Sequence, residues 1–361
     1  MSPVEPLLSI VVPVRNAAAT LGDTLAALVA SDLPRASYEI IVVDDTSDDG
    51  SPLVAARRAD TVVRLTGGCA GPAYARNRGA ELARADVIAF VDADVRVRPE
   101  TLSSLLATLR ARPELGAISA SWDAHPTATN LCSQYWNLLL HYGNRRSNSA
   151  GAHFNAACGL VRRSTLKAAG MFDEWRFSVR GLEGVELGMR ICATGCDVQL
   201  SSDIRVTHLK TWHVAAIVSE VWQRGMLLAR SLGYRRTLAQ APSEVVFTLS
   251  GPVRHAAFAI GVLLLSAAIT PHARLAILWA TGVIFVLLAN VRLHNFYFHE
   301  RGALFALAVA PLHLLNEAVA AVALCVGWLL RDAVGDPLPD ATTQAYSEVG
   351  LETWPPVRRR F

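Results

Sequence analysis

Lysine is almost missing from this chain: of 34 basic residues only Lys167 and Lys210 are lysines, and arginine supplies the rest. The net charge is only +3, and acidic residues are interspersed with basic ones through the first half. No continuous basic stripe results, so nucleic acid is not expected as a partner. Six cysteines occur, none with zinc-type spacing; they read as reduced thiols acting as small apolar residues in a cytosolic compartment. No Gly-x-Gly-x-x-Gly follows the first apolar run and no Gly-x-x-x-x-Gly-Lys occurs, which disfavours a dinucleotide-binding dehydrogenase and a P-loop nucleotidase. The N-terminus lacks a basic segment followed by an apolar run, so no signal peptide is expected and the first domain is placed in the cytoplasm. Charged residues are also missing from His255 to Thr270 and from Leu275 to Val291.

What is present is apolar. Of 361 residues, 52% are hydrophobic and mean hydropathy is +0.30, with the excess collected after about residue 252. In the first half, Leu8 to Val14 reads as a strand that ends near Pro13, since proline cannot donate to a ladder. Thr20 is placed to cap a helix through Ala30. Tyr38 to Val43 is a second buried strand, ending in the turn formers Asp44 to Ser51, and Pro52 suits a first helical position. Val62 to Leu65 is a third strand, Gly67 to Pro72 a flexible loop, and Ala73 to Arg84 a helix carrying Arg76, Asn77 and Arg78. Asp86 to Asp94 then holds five consecutive apolar residues between charges, a strand buried on both faces. If the backbone stays extended, Asp92 and Asp94 leave its end on one side, with Ala93 between them. Either they hold a hard cation against a phosphate, or they are solvated residues terminating a strand.

Alternation of strand and helix predicts an α/β fold with a right-handed parallel sheet. Arg15, Asp44, Asp45, Arg76, Asp92 and Asp94 all fall at the carboxyl ends of its strands, where such sheets bind ligands.

Four segments carry a resemblance: Ser9-Ile-Val-Val-Pro-Val-Arg-Asn16, Val42-Val-Asp-Asp-Thr-Ser-Asp-Asp-Gly50, Gly71-Pro-Ala-Tyr-Ala-Arg-Asn-Arg-Gly79 and Phe90-Val-Asp-Ala-Asp94. In order and spacing they resemble the nucleotide-sugar segments of family 2 glycosyltransferases, and Ala156 to Glu174 and Glu183-Gly-Val-Glu-Leu187 extend the likeness across roughly residues 7 to 210. It implies a Rossmann-like, A-type glycosyltransferase domain that binds a nucleoside diphosphate sugar through Pro13, Arg15, Asn16, Asp44, Asp45, Arg76, Asp92, Ala93 and Lys210. It implies a magnesium or manganese ion on Asp94, with Asp92 contacting the ribose or the ion's water shell and His208 as a further ligand. The alternatives are helix capping for Asp44 and Asp45 and solvation for His208. Lys210 is placed on the diphosphate, although codon preference also explains a scarcity of lysine.

An inverting transfer needs a carboxylate to take the acceptor hydroxyl's proton. Relatives usually carry Glu-Asp where this chain has Glu183-Gly184, so Glu183 or Glu186 must substitute, with Glu183 favoured, or the base is absent. Both are expected near the start of a helix, Val185 to Ala193, whose dipole favours ionised carboxylates. The aromatic stretch from Trp122 to Asn155 forms either an acceptor wall or an ordinary packed helix.

The division expected is a catalytic domain at 1–211, interfacial amphipathic helices at 212–252, a transmembrane region of about three helices at 253–331 and a disordered tail at 332–361. Ala303 to Leu330, interrupted by Pro311, reads as one kinked span or a re-entrant half followed by a span. Glu317 within it meets either a lipid-linked substrate's headgroup or a neighbouring helix. Arginines before the first span place the catalytic domain inside, giving a multi-pass cell-membrane protein. Its expected function is transfer of a sugar to a lipid-linked or membrane-associated acceptor, in contact with membrane lipids. A processive short-polysaccharide synthase and a catalytically inactive membrane scaffold are the alternatives.

Overall fold

The computed structural model describes residues 5–66, 68–146, 153–174, 182–231, 282–334 and 351–353. Its contacts divide the chain into two units. The first contains Met1–Asp123, Ser147–Lys210 and Pro337–Phe361, and the second Ala124–Arg146 and Thr211–Asp336.

In the first unit the sheet opens with β1 (Leu8–Val14), β2 (Tyr38–Asp44), β3 (Thr61–Leu65) and β4 (Val87–Val91). Helices α1 (Ala18–Val29), α2 (Ser51–Ala55) and α3 (Pro72–Leu82) connect them. These four strands are parallel, in the order β4-β1-β2-β3. Their apolar runs are sealed on both faces: Ile10, Val11, Val12, Ile40, Val42 and Phe90 have no exposure, and burying each contributes about 1.5–3 kcal/mol. β1 ends one residue after Pro13, which lies opposite Val43. The ladder to β4 has stopped by then, at Val11 opposite Phe90, so the missing N–H costs no bond there.

The first four strands are parallel as expected from the alternation; the strands after them add antiparallel pairs. The remainder of the sheet consists of β5 (Val95–Arg96), β6 (Leu115–Trp122), β7 (Cys158–Arg162) and β8 (Asp197–His208), with α4 (Thr101–Ala111) preceding β6. β7 is antiparallel to both β4 and β6. It starts opposite Val91, at the carboxyl end of β4, so the residues leading into it lie at the site end of the sheet. The tail expected to be disordered also supplies structure: β9 (Leu351–Thr353) pairs antiparallel with β3.

Helix α1 begins two residues before Thr20, and its cap is supplied from a distant segment. The Ser51 hydroxyl accepts from the Ala17 N–H at 2.9 Å, and Asp49 accepts from the Ala18 N–H at 2.9 Å. This ties the loops after β1 and β2 together at the site end.

The second unit contains α5 (Leu131–Arg146), α8 (Val214–Ser231), α9 (Val291–Arg301) and α10 (Ala303–Val334); α6 (Arg163–Ala168) and α7 (Glu183–Ala193) belong to the first. The aromatic stretch forms α5, whose Tyr135, Trp136 and Leu138 share a core with Trp212, Ile217, Val221 and Tyr297. Residues Ala303 to Leu330 lie within one helix that continues through Pro311, in place of the two pieces considered from sequence. Glu317 lies 3.9 Å from His313, one turn before it on the same helix. Among the described residues, Ala303–Leu330 is the one helix long and apolar enough to cross a membrane. The segment His255 to Thr270 and residues 275–281 of Leu275 to Val291 fall outside the described residues.

Ser51 is fully buried and serves both loops, so Ser51→Ala is expected to cost about 1–2 kcal/mol of stability, measured by urea denaturation. A change below about 0.3 kcal/mol would show that the distant cap contributes nothing.

Candidate active site

The chain turns sharply where β4 ends. The Val95 N–H donates to the Asp92 carbonyl at 3.2 Å, closing a four-residue turn, and the Thr24 hydroxyl on α1 donates to the Ala93 carbonyl at 3.0 Å. The extended backbone expected through Asp92 and Asp94 is therefore corrected to a turn. The two carboxylates face different protein partners.

Asp94 faces His208. Its Oδ2 lies 3.7 Å from His208 Nε2. Backbone pairing enforces the approach: Val95 is opposite His208, and the Leu209 N–H donates to the Asp94 carbonyl at 2.8 Å. The Trp122 ring, at the end of β6, lies 4.5 Å from the imidazole and fixes its plane. Lys210, half-buried, follows two residues later.

Asp92 faces Arg76. The Arg76 guanidinium is 3% exposed and donates to Asp92 Oδ1 at 2.7 Å and to Glu183 Oε1 at 3.1 Å, with the Phe172 ring 5.4 Å away. Burial alone would push the Arg76 pKa down; the two carboxylates overcome that and hold it above its ordinary value. A buried cation with two anions is thus a closed electrostatic unit. The next residues of α3 hold another segment: Asn77 donates to the Phe172 carbonyl at 2.9 Å and to Glu174 at 2.6 Å, and Arg78 donates to Glu174 at 3.3 Å.

Glu183 is the first residue of α7, two residues earlier than the helix start expected from sequence. The structure separates it from Glu186, which is held by Arg190 one turn on at 2.6 and 2.7 Å and does not join the Arg76 cluster. The substitution of glycine at 184 also has a local reason, because a Cβ there would lie 2.3 Å from the Phe154 carbonyl oxygen.

At the ends of β1 and β2, Asp45 accepts from the Ala70 and Gly71 N–H groups, each at 2.9 Å. It thereby anchors the loop that starts α3 and delivers Arg76. Asp44 is fully buried; Oδ2 accepts from the Ser47 N–H at 3.3 Å and lies 3.4 Å from Arg64. Desolvation raises its pKa despite those partners. The helix-cap alternative considered for these two aspartates goes to Asp49. Asn16 adopts a left-handed φ of 49° and braces the facing loop, accepting from the Asp48 N–H at 3.0 Å. Arg15 is exposed beside it.

Among the described residues no group of three His, Cys, Asp or Glu side chains could hold a metal ion. Asp94 and His208 nevertheless fit one as a pair. One hard oxygen and one imidazole nitrogen, 3.7 Å apart, suit the small number of protein ligands magnesium or manganese takes when phosphate and water complete its shell. Sequence reasoning placed Trp122 and Phe154 within the stretch Trp122 to Asn155 but gave neither an individual role; the packing of Trp122 on His208 and the approach of the Phe154 carbonyl to Gly184 depend on the tertiary fold.

The mixed α/β sheet carries these carboxylates at its strand ends, where such sheets bind ligands, an arrangement like that of A-type glycosyltransferase folds. Residues 9–169, a little under half of the chain, match the model of Glycosyl transferase family 2. It is 34% identical over 100 residues to a poly(ribitol-phosphate) beta-glucosyltransferase of Bacillus spizizenii, covering 26% of this chain and 16% of that protein. Glycosyltransferase AglE of Haloferax volcanii is 29% identical over 114 residues, 30% of this chain and 37% of the relative. The matches thus span well under half the length of these relatives. The solved mannosyltransferase PcManGT from Pyrobaculum calidifontis, in complex with GDP-Man and Mn2+, is similar with a TM-score of 0.55 over 90% of this chain and 87% of that one. At 19% identity, that likeness concerns the fold alone.

Arg76→Met would leave Asp92 and Glu183 facing each other without their shared cation. The expected loss is about 3 kcal/mol of folding stability, read by denaturant titration; an unchanged midpoint would contradict the pairing.

Proposed function

We propose that this protein is an inverting glycosyltransferase that moves a sugar from a nucleoside diphosphate donor to a lipid-linked or membrane-associated acceptor. The observation that carries the proposal is the buried Arg76 between Asp92 and Glu183, with Asp94 and His208 on the adjoining turn and strand. On this reading Asp92 is the donor-side carboxylate, Asp94 and His208 the diphosphate-side pair and Glu183 the base.

Glu183 takes the proton of the acceptor hydroxyl as that oxygen attacks the anomeric carbon. The bond from that carbon to the diphosphate oxygen breaks on the opposite face, and the nucleoside diphosphate departs. Arg76 holds Glu183 Oε1 and keeps the carboxylate oriented. Asp44, Asp45, Pro13, Arg15 and Asn16 form the nucleotide side, Asp92 and Ala93 the ribose and sugar side, and Lys210 meets the diphosphate. A magnesium or manganese ion on Asp94 and His208 would offset the charge of the departing diphosphate. Glu186, held by Arg190, is not assigned the base role.

The membrane part of the reading is supported by α10. Leu304 is 85% exposed and Leu307 71%, and Trp328, Leu329 and Leu330 are also exposed. Large apolar side chains displayed along a helix of this length suit lipid rather than water. We place the catalytic domain on the cytoplasmic face of a multi-pass cell-membrane protein.

The test uses membranes carrying the full chain, incubated with labelled GDP-mannose, UDP-glucose or UDP-N-acetylglucosamine and then extracted for lipid. The parent is expected to label the lipid fraction with one donor. Glu183→Gln is expected to lower the rate at least about 100-fold while donor binding persists, and Asp94→Ala to abolish both labelling and Mn2+ binding. Unchanged labelling in both variants would overturn the roles given to Glu183 and Asp94, and no labelling in the parent with any donor would favour a nucleotide-sugar-binding scaffold.

A further inference from the structure

Two glycines hold the segment Phe154–Ala157 in a way the chemistry so far does not use. A Cβ on Gly184 would lie 2.3 Å from the Phe154 carbonyl oxygen and 3.2 Å from the Ala156 nitrogen. A Cβ on Gly159 would lie 2.5 Å from the Phe154 ring and 2.9 Å from the Asn155 carbonyl oxygen. Only glycine allows either approach. Phe154 is 1% exposed, clamped between the strand and the first turn of α7.

The segment has little freedom at its other points. The Asn155 side chain donates to the Ala120 carbonyl at 2.9 Å, and the Asn155 N–H donates to the Ser119 hydroxyl at 3.1 Å. The Ala157 carbonyl then accepts from the Asp92 N–H at 3.0 Å. These contacts close a ring. From the Asp92 backbone it runs through Ala157 to Phe154, across to Gly184 and Glu183, and from the Glu183 carboxylate through Arg76 to the Asp92 carboxylate.

We propose that Gly184, Gly159 and Phe154 are positioning residues that fix the separation between the donor-side Asp92 and the base. This rests on the reading of Glu183 as the base. Gly184 is then a seat required by the close approach of a backbone carbonyl, rather than a base position left empty. The ring of contacts matters for rate because a proton acceptor misplaced by about 1 Å can cost on the order of 100-fold. The effect is expected on kcat more than on donor affinity, because β1, β2 and the loop before α3, which supply the nucleotide side, lie outside the ring, and the variants leave the Asp92 and Arg76 side chains in place.

The experiment compares Gly184→Ala, Phe154→Leu and Glu183→Gln in the full-length protein, measuring kcat, donor KM, binding of the donor that turns over and thermal stability. Gly184→Ala forces the Phe154 carbonyl away. Phe154→Leu slackens the clamp at Gly159 while keeping the carbonyl, and it keeps the test available if the glycine variant does not fold. Gly184→Ala and Phe154→Leu, where folded, are each expected to lose about 10- to 100-fold in kcat with donor affinity and KM within about twofold of the parent. A folded variant of either kind with parental kcat overturns the proposal, as does an equal loss of kcat and donor affinity. Glu183→Gln separates the two claims. If it keeps parental activity, the base assignment fails; if it is inactive while Gly184→Ala is fully active, only the positioning claim fails.

Discussion

Arg76 is a full positive charge buried at the end of a sheet, and its neutralisation by Asp92 and Glu183 is the constraint from which the rest of the site follows. Removing a guanidinium from water is costly unless anions and hydrogen bonds replace the lost solvation. The two carboxylates come from segments far apart in sequence, one after β4 and one at the start of α7. Pairing them through one cation therefore joins these two segments at one end of the sheet, which in the proposed function are the donor side and the acceptor side. The loop before α3 is tied to Asp45, so the strand that carries the nucleotide-side aspartates also fixes where the arginine emerges.

The second pair, Asp94 and His208, is positioned by backbone rather than by charge. The β5–β8 ladder and the Leu209 N–H set the distance, and Trp122 sets the imidazole plane. Backbone-enforced spacing of two donors requires little rearrangement on binding a cation, which is the form of preorganisation that electrostatic catalysis needs. The two pairs share the turn at Asp92–Val95, held by Thr24 of α1. A helix with no ligand contact of its own is thus part of the site's geometry.

Much of this was legible in the chain. Apolar runs sealed on both faces announced β1 to β4, and the resemblance brought Arg76, Asp92, Asp94, Glu183 and His208 into one list. Their pairing was not legible. Period-two reasoning put Asp92 and Asp94 on one side because it assumed an extended backbone, and the tight turn depends on bonds from Thr24 and Ala157, which are distant in sequence. For the same reason the cap of α1 was assigned to Thr20: Ser51 and Asp49 reach it only through the tertiary fold. The antiparallel β7 looked like any other short apolar strand, because direction is set by where the chain enters. Gly184 appeared in sequence as a loss, and only the nearby Phe154 carbonyl explains it. Strand β9 gave no signal in a polar, proline-containing tail.

The central claim is that one buried cation couples the donor-side carboxylate to the base. A double-mutant cycle on folding stability with Asp92→Asn and Glu183→Gln tests it most directly. Each single change leaves Arg76 one anion, whereas the double change strands it, so the double variant should be destabilised beyond the sum of the singles by about 0.5–3 kcal/mol. Additive losses would mean that the two carboxylates do not share the arginine, and the account would be contradicted.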